Sequence, residues 1–147
     1  MTTRGFTVRN PDFEARVRAS FEQQSIMGLL GASLQSVEPG RVSVVLPSRA
    51  DLCQQDGYFH AGVSTTIADS AAGYAALSLF DPQTEVLSTE FKVNLLAPAV
   101  GDRLRAVGTV LKPGRTLTIV EADVFAERAD EQVRVLKFLG TMIGVRA

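Results

Sequence analysis

Apolar positions recur near helical spacing at the start of the chain. Phe13, Val17, Phe21, Met27 and Leu30 fall near one face, and Asn10 before Pro11 supplies a cap and a fixed start. The spacing predicts a helix over about 11–30, ended by Gly31. Two short runs, 32–37 and 41–47, follow on either side of Glu38-Pro39-Gly40. Val42, Val44 and Leu46 alternate with Ser43 and Val45, so the pair reads as a hairpin. Residues 61–80 read as one long helix rich in Ala, Ser, Thr and Gly. After Asp81-Pro82 the period becomes two. Leu87, Thr89, Phe91, Val93 and Leu95 alternate with Ser88, Glu90, Lys92 and Asn94, and Pro98 stops the run. Strands over 104–112, 116–127 and 132–145 complete an antiparallel meander, with turns at Pro113-Gly114 and Ala129-Asp130-Glu131. One helix, two strands, a long helix and four strands predict an α+β antiparallel sheet.

Composition narrows this picture. A chain of 147 residues is the size of one domain and buries roughly two-thirds of its unfolded surface, so one domain over 1–147 is expected without a disulfide staple. Cys53 is the single cysteine and His60 the single histidine. Together they exclude an intrachain disulfide, a four-cysteine zinc site and any site needing two imidazoles of one chain. Fifteen basic and sixteen acidic residues give a net charge of -1. That speaks against nucleic acid as a partner and does little to oppose self-association. The first fifteen residues carry Arg4, Arg9, Asp12 and Glu14 and do not read as a secretory leader. No run of eighteen apolar residues exists, so no membrane span and a cytoplasmic location are expected.

The helix over 61–80 holds one formal charge, Asp69. A surface helix has a charged face, and this one has none. Its small residues predict close enclosure by other elements. Asp69 opposes both helix propensity and burial, a conflict expected at functional sites. Thr65 and Thr66, one turn earlier, are placed to donate hydrogen bonds to it. A structural aspartate satisfied by those hydroxyls or by a neighbouring strand is the alternative. The preceding loop, Gln54 to Gly62, is polar and runs straight into the helix start. Unpaired amides there, at Ala61 or Gly62, would polarise a carbonyl oxygen. His60 reads either as part of that arrangement or as a capping histidine.

The string Gln54-x-x-Gly57-x-x-His60-Ala61-Gly62, with Asp69 nine residues after His60, resembles the hotdog-fold acyl-CoA thioesterases. It is most similar to the group containing the phenylacetate-pathway enzymes, and the likeness spans about 26–145. The turn Lys112-Pro113-Gly114-Arg115 resembles that family's Gly-Arg or Gly-Lys turn. The resemblance implies a hotdog fold, an antiparallel sheet wrapped around a long central helix. It implies an acyl-CoA substrate, with Asp69 as nucleophile or general base. Ala61 would polarise the carbonyl, Gly62 would permit close approach, and His60 would orient the loop. Gln54 would position water or substrate, and Ser88 would lie near the carboxylate. Lys112, Gly114 and Arg115 would contact coenzyme A, which enters only as part of the substrate; no metal or other cofactor is implied. The family's site is shared between two subunits, so a homo-oligomer is expected, a dimer and by family habit a tetramer. Ala61 departs from the family's usual glycine, which matters if the backbone there must be left-handed. A dehydratase or hydratase of acyl thioesters, and an acyl-CoA-binding module without turnover, are the competing readings.

Overall fold

The computed structural model describes residues 5–147. Arg4, used in the leader argument, lies outside the described residues. In chain order the elements are α1 (Phe13–Gln23), α2 (Ser25–Leu30), β1 (Ser33–Glu38), β2 (Arg41–Pro47), α3 (Ala61–Leu77), β3 (Thr84–Leu95), β4 (Arg103–Lys112), β5 (Leu117–Arg128) and β6 (Glu131–Arg146). The six strands form one antiparallel sheet in the order β1-β2-β4-β5-β6-β3. The sheet wraps α3, which gives the α+β hotdog architecture.

Two departures from the sequence pattern matter. The helix expected over 11–30 is broken at Gln24, whose backbone is extended at ψ 94°, so α1 and α2 are separate. Gly31, in the left-handed region at φ 80°, ends α2 as anticipated. The expected meander also holds only for β4, β5 and β6. β3 pairs with β6, so the chain crosses from the end of α3 to the far edge of the sheet.

α3 is held by a row of small and large residues crossing the sheet beneath it. Val42, Gly108, Ala122, Phe138 and Val93 are successive register partners on its inner face. On the helix, Ile67, Ala68, Ala71, Ala72, Ala75 and Ala76 are fully buried. A Cβ at Gly108 would overlap the backbone of Ala71 and Ala72. The contact is therefore backbone against backbone. The enclosure is incomplete, however. Gly62, Thr66, Asp69 and Gly73, spaced three or four residues apart, keep solvent access along one stripe.

β3 forms the open edge beside that stripe. A bulge between Ser88 and Glu90 interrupts its register with β6. Strict alternation would put Ser88 and Phe91 on opposite faces. The extra residue puts both on the inner face, Ser88 opposite Met142 and Phe91 stacked on Phe138 at 5.0 Å. Leu87 is left on the outer face, so the single alternating register read from sequence breaks at Thr89.

The Gly108 contact has a measurable consequence. Gly108→Ala places its methyl in backbone that has no freedom to give, and a loss of about 1–3 kcal/mol is expected by thermal or denaturant unfolding. Gly28→Ala, in α2 where an added Cβ meets nothing within 4 Å, is expected to be neutral or stabilising by up to about 1 kcal/mol. Equal effects at both positions would contradict the packing described.

Candidate active site

The loop before α3 is fixed by its own polar groups. Gln54 N–H donates to Tyr58 O at 2.8 Å, Gly57 N–H donates to Gln54 O at 3.1 Å, and His60 N–H donates to Leu52 O at 3.0 Å. The Gln54 side-chain carbonyl accepts from the Asp56 and Tyr58 amides. Its oxygen is therefore committed to the turn, and its Nε2 remains as a donor. His60 is the N-cap of α3, and its Nδ1 accepts the Gly62 N–H at 2.8 Å. A neutral ring accepting at Nδ1 carries its proton on Nε2, so the exposed edge of His60 is also a donor.

This cap settles which amide is available. Gly62 N–H is occupied by His60, whereas Ala61 N–H has no acceptor among the described residues. Gly62 has a steric role as well, because a Cβ there would sit 3.0 Å from His60 Nδ1. Ala61 is the first helical residue, and the only non-glycine described with positive φ is Ala129. Alanine in place of glycine therefore costs no backbone strain.

Asp69 projects from the uncovered stripe of α3, partly buried. Its Oδ1 accepts the Ser88 hydroxyl at 2.6 Å, and Ser88 Oγ also lies 3.2 Å from Met142 Sδ. Thr65 and Thr66 do not serve Asp69. They donate instead to Ala61 O at 2.8 Å and Gly62 O at 2.7 Å, the bonds that helix geometry offers a hydroxyl four residues on. Oδ2 is left without a donor among the described residues. Asp69 and Ser88 line a cleft of about 550 Å³ that also takes in Gln24, Ser70, Tyr74 and Met142.

Gln54 and Ala61 line a different cleft, of about 480 Å³, with Tyr58, Phe59 and Leu95. The two clefts share no residue. His60 and Asp69 are nine residues apart on one helix, about 13 Å along its axis. Lys112 ends β4 in an exposed position. Gly114 and Arg115 line a third hollow with Arg9 and Phe80, beyond the C-terminal end of α3. One chain thus unites Asp69 with Ser88, and Gln54 with Ala61, but does not join these pairs or bring the 112–115 turn to either. Among the described residues no three His, Cys, Asp or Glu side chains gather as a metal ion would require, and no helix is long and apolar enough to cross a membrane. Sequence reasoning missed Gln24, Ser70 and Tyr74. The one local sign was Gln23-Gln24 interrupting the apolar spacing of the first segment.

Comparison with known proteins agrees with the fold. The model of the thioesterase superfamily matches residues 56–132. A solved thioesterase family protein from Silicibacter pomeroyi is 41% identical, covers 92% of this chain and 99% of its own, and superposes with a TM-score of 0.90. A 1,4-dihydroxy-2-naphthoyl-CoA hydrolase of Listeria monocytogenes is 30% identical over 104 residues, 69% of this chain and 85% of its own. The PaaI protein of the E. coli phenylacetic acid degradation operon shares the fold, with a TM-score of 0.82 at 20% identity over 93% of this chain and 96% of its own. The fold and these relatives define a hotdog thioester hydrolase. The chain belongs to the thioesterase superfamily.

The His60 cap can be checked directly. His60→Ala is expected to cost about 1 kcal/mol and to accelerate hydrogen exchange at the Gly62 amide, while His60→Asn retains most of the protection. Unchanged exchange in His60→Ala would show that the imidazole does not hold the helix start.

Proposed function

We propose that this thioester hydrolase acts on an acyl-CoA, releasing the free acid and coenzyme A, with Asp69 as the reacting carboxylate. As a general base, Asp69 takes a proton from water while the oxygen attacks the thioester carbon. As a nucleophile, it attacks that carbon itself and the resulting anhydride is then hydrolysed. In both routes the C–S bond breaks and the departing thiolate is protonated. Ala61 N–H and His60 Nε2–H act as donors to the oxygen on which charge develops. Gln54 Nε2 positions the water or the carbonyl, and Ser88 orients Asp69. Gly62 keeps the space that His60 needs. Lys112, Gly114 and Arg115 meet the coenzyme A phosphates, and no metal or cofactor beyond the substrate takes part. The reading places the enzyme in the cytoplasm.

The observation that carries this reading is the separation of acid and donors within one chain. A group held about 13 Å along a helix from Asp69 cannot meet the same carbonyl carbon. The two clefts flank opposite ends of the edge strand: Glu85 to Ser88 border one, and Leu95 to Ala99 the other. Antiparallel pairing of two β3 edges about a twofold axis near mid-strand brings the Asp69 cleft of each chain to the Gln54 cleft of its partner. Leu87, Phe91, Leu95 and Leu96 are 44–59% exposed along and just beyond that edge, an apolar surface that such pairing would cover. A tetramer would be built from two such dimers.

Purified enzyme is expected to release free thiol from at least one acyl-CoA in a panel of aliphatic and aromatic substrates. Asp69→Asn should lower kcat by about 10²–10⁴-fold while preserving the unfolding transition. Full activity in that variant would remove Asp69 from the chemistry. Sharing of the site has its own check. Asp69→Asn and Gln54→Ala chains, each of low activity alone, should recover roughly a quarter of wild-type activity when unfolded and refolded together, because a mixed dimer keeps one intact site. No recovery, with mixed dimers verified by mass, would place both residues in a site built by one chain.

A further inference from the structure

The cleft that holds Asp69 continues beyond it toward α1, and its far wall is polar. A pocket for a plain hydrocarbon chain is lined mainly by apolar side chains with few polar groups. Here Ser20, Gln24, Ser70 and Tyr74 stand on the wall. Ser70, 7% exposed, donates to Gln24 Oε1 at 3.0 Å. The Gln24 carbonyl is thereby committed, and its Nε2 remains a donor. Tyr74, 8% exposed, leans on Phe21 with ring centroids 5.7 Å apart, and its hydroxyl is 3.3 Å from Ser20 Oγ. Two hydroxyls joined by one hydrogen bond still offer a second proton and free lone pairs. The break at Gln24 puts this amide beside the residue that follows Asp69, a placement an unbroken helix over 11–30 would not give.

Charge and length narrow what fits. Burial pushes the Tyr74 phenol above its ordinary range, with the Ser20 hydrogen bond opposing, so the group is a neutral hydroxyl at working pH. Glu85 also lines the cleft, paired with Arg16 at 3.1 Å, and its carboxylate disfavours an anionic acyl group. Tyr74 lies five residues beyond Asp69, about 7 Å along the helix axis. A substituent reaching that wall sits on a short acyl group.

We propose that this cleft takes a short acyl group bearing a neutral hydroxyl, recognised by the Tyr74–Ser20 pair and by Gln24. The inference rests on Asp69 being the reacting carboxylate, and it makes α1 a specificity element.

The test compares kcat/KM for matched pairs: pentanoyl-CoA with ω-hydroxypentanoyl-CoA, and benzoyl-CoA with para-hydroxybenzoyl-CoA. Wild type is expected to favour the hydroxylated member of at least one pair by about 10-fold, the value of one well-made hydrogen bond. Tyr74→Phe should reduce that ratio to near one, and Ser20→Ala or Gln24→Leu should reduce it partly. Because the readout is a ratio, a variant that folds poorly lowers both rates together and leaves it unchanged. Thiol release with no preference in either pair, or a preference that survives all three variants, overturns this inference while leaving the hydrolase reading intact. No thiol release from any of the four removes both for these substrates; release from other acyl-CoAs in the wider panel would then sink only the specificity.

Discussion

Close backbone contact between α3 and the sheet governs where the other groups of the molecule can stand. A helix of alanines and glycines has little side-chain volume with which to fill a gap. It is stabilised only where a sheet approaches it closely, and Gly108 opposite Ala71 and Ala72 allows that approach. The strands, with α1 and Gln24 against Tyr74 and Ser70, then cover the helix on all sides but one. A carboxylate elsewhere on the helix would be buried with no donor, at a cost of several kcal/mol. Asp69 is tolerated because it lies on the one uncovered stripe, beside an edge strand that supplies a hydroxyl. The packing that makes the fold also decides where an acid is tolerated.

The polar groups around the two clefts share a further property. Each bifunctional side chain has one end fixed by its own chain and the other left available. Gln54 commits its carbonyl to the loop, His60 its Nδ1 to the helix start, Asp69 one oxygen to Ser88, and Gln24 its carbonyl to Ser70. Such groups keep their orientation before a substrate arrives. Donors and acceptors already aimed need no reorganisation when charge develops, the condition under which electrostatic stabilisation is most effective.

Much of this was legible in the sequence because the signals are local. Period two marked the strands, Pro-Gly the hairpin, and the loop from Gln54 to Gly62 the start of α3 within a residue. The order of elements and the isolation of Asp69 gave the fold class and the candidate acid. What was not legible is tertiary. Pairing of β3 with β6 rather than β4 leaves no trace in either strand's own pattern. The bulge at Thr89 is a single unpaired residue in an otherwise alternating run, so the strand's own pattern does not show that Ser88 shares a face with Phe91; its place beside Asp69 came from the family resemblance alone. Thr65 and Thr66 were within reach of Asp69 by spacing, but a helical threonine finds its own carbonyl four residues back first.

That bulge ties the strand to both clefts. Without it, Ser88 and the Phe91–Leu95 stretch could not share one face of β3, and the strand would serve one cleft or the other. With it, a single edge strand borders the Asp69 cleft at one end and the Gln54 cleft at the other. Seven residues of extended chain separate Ser88 from Leu95, about 23 Å. In the proposed dimer, the twofold axis converts that fixed separation into registration between the acid of one chain and the donors of the next. A one-residue slip in the edge pairing would carry Ser88 and Leu95 out of step at both sites at once. The bulge and the twofold axis therefore constrain the same distance, and the proposed hydrolysis depends on their agreement.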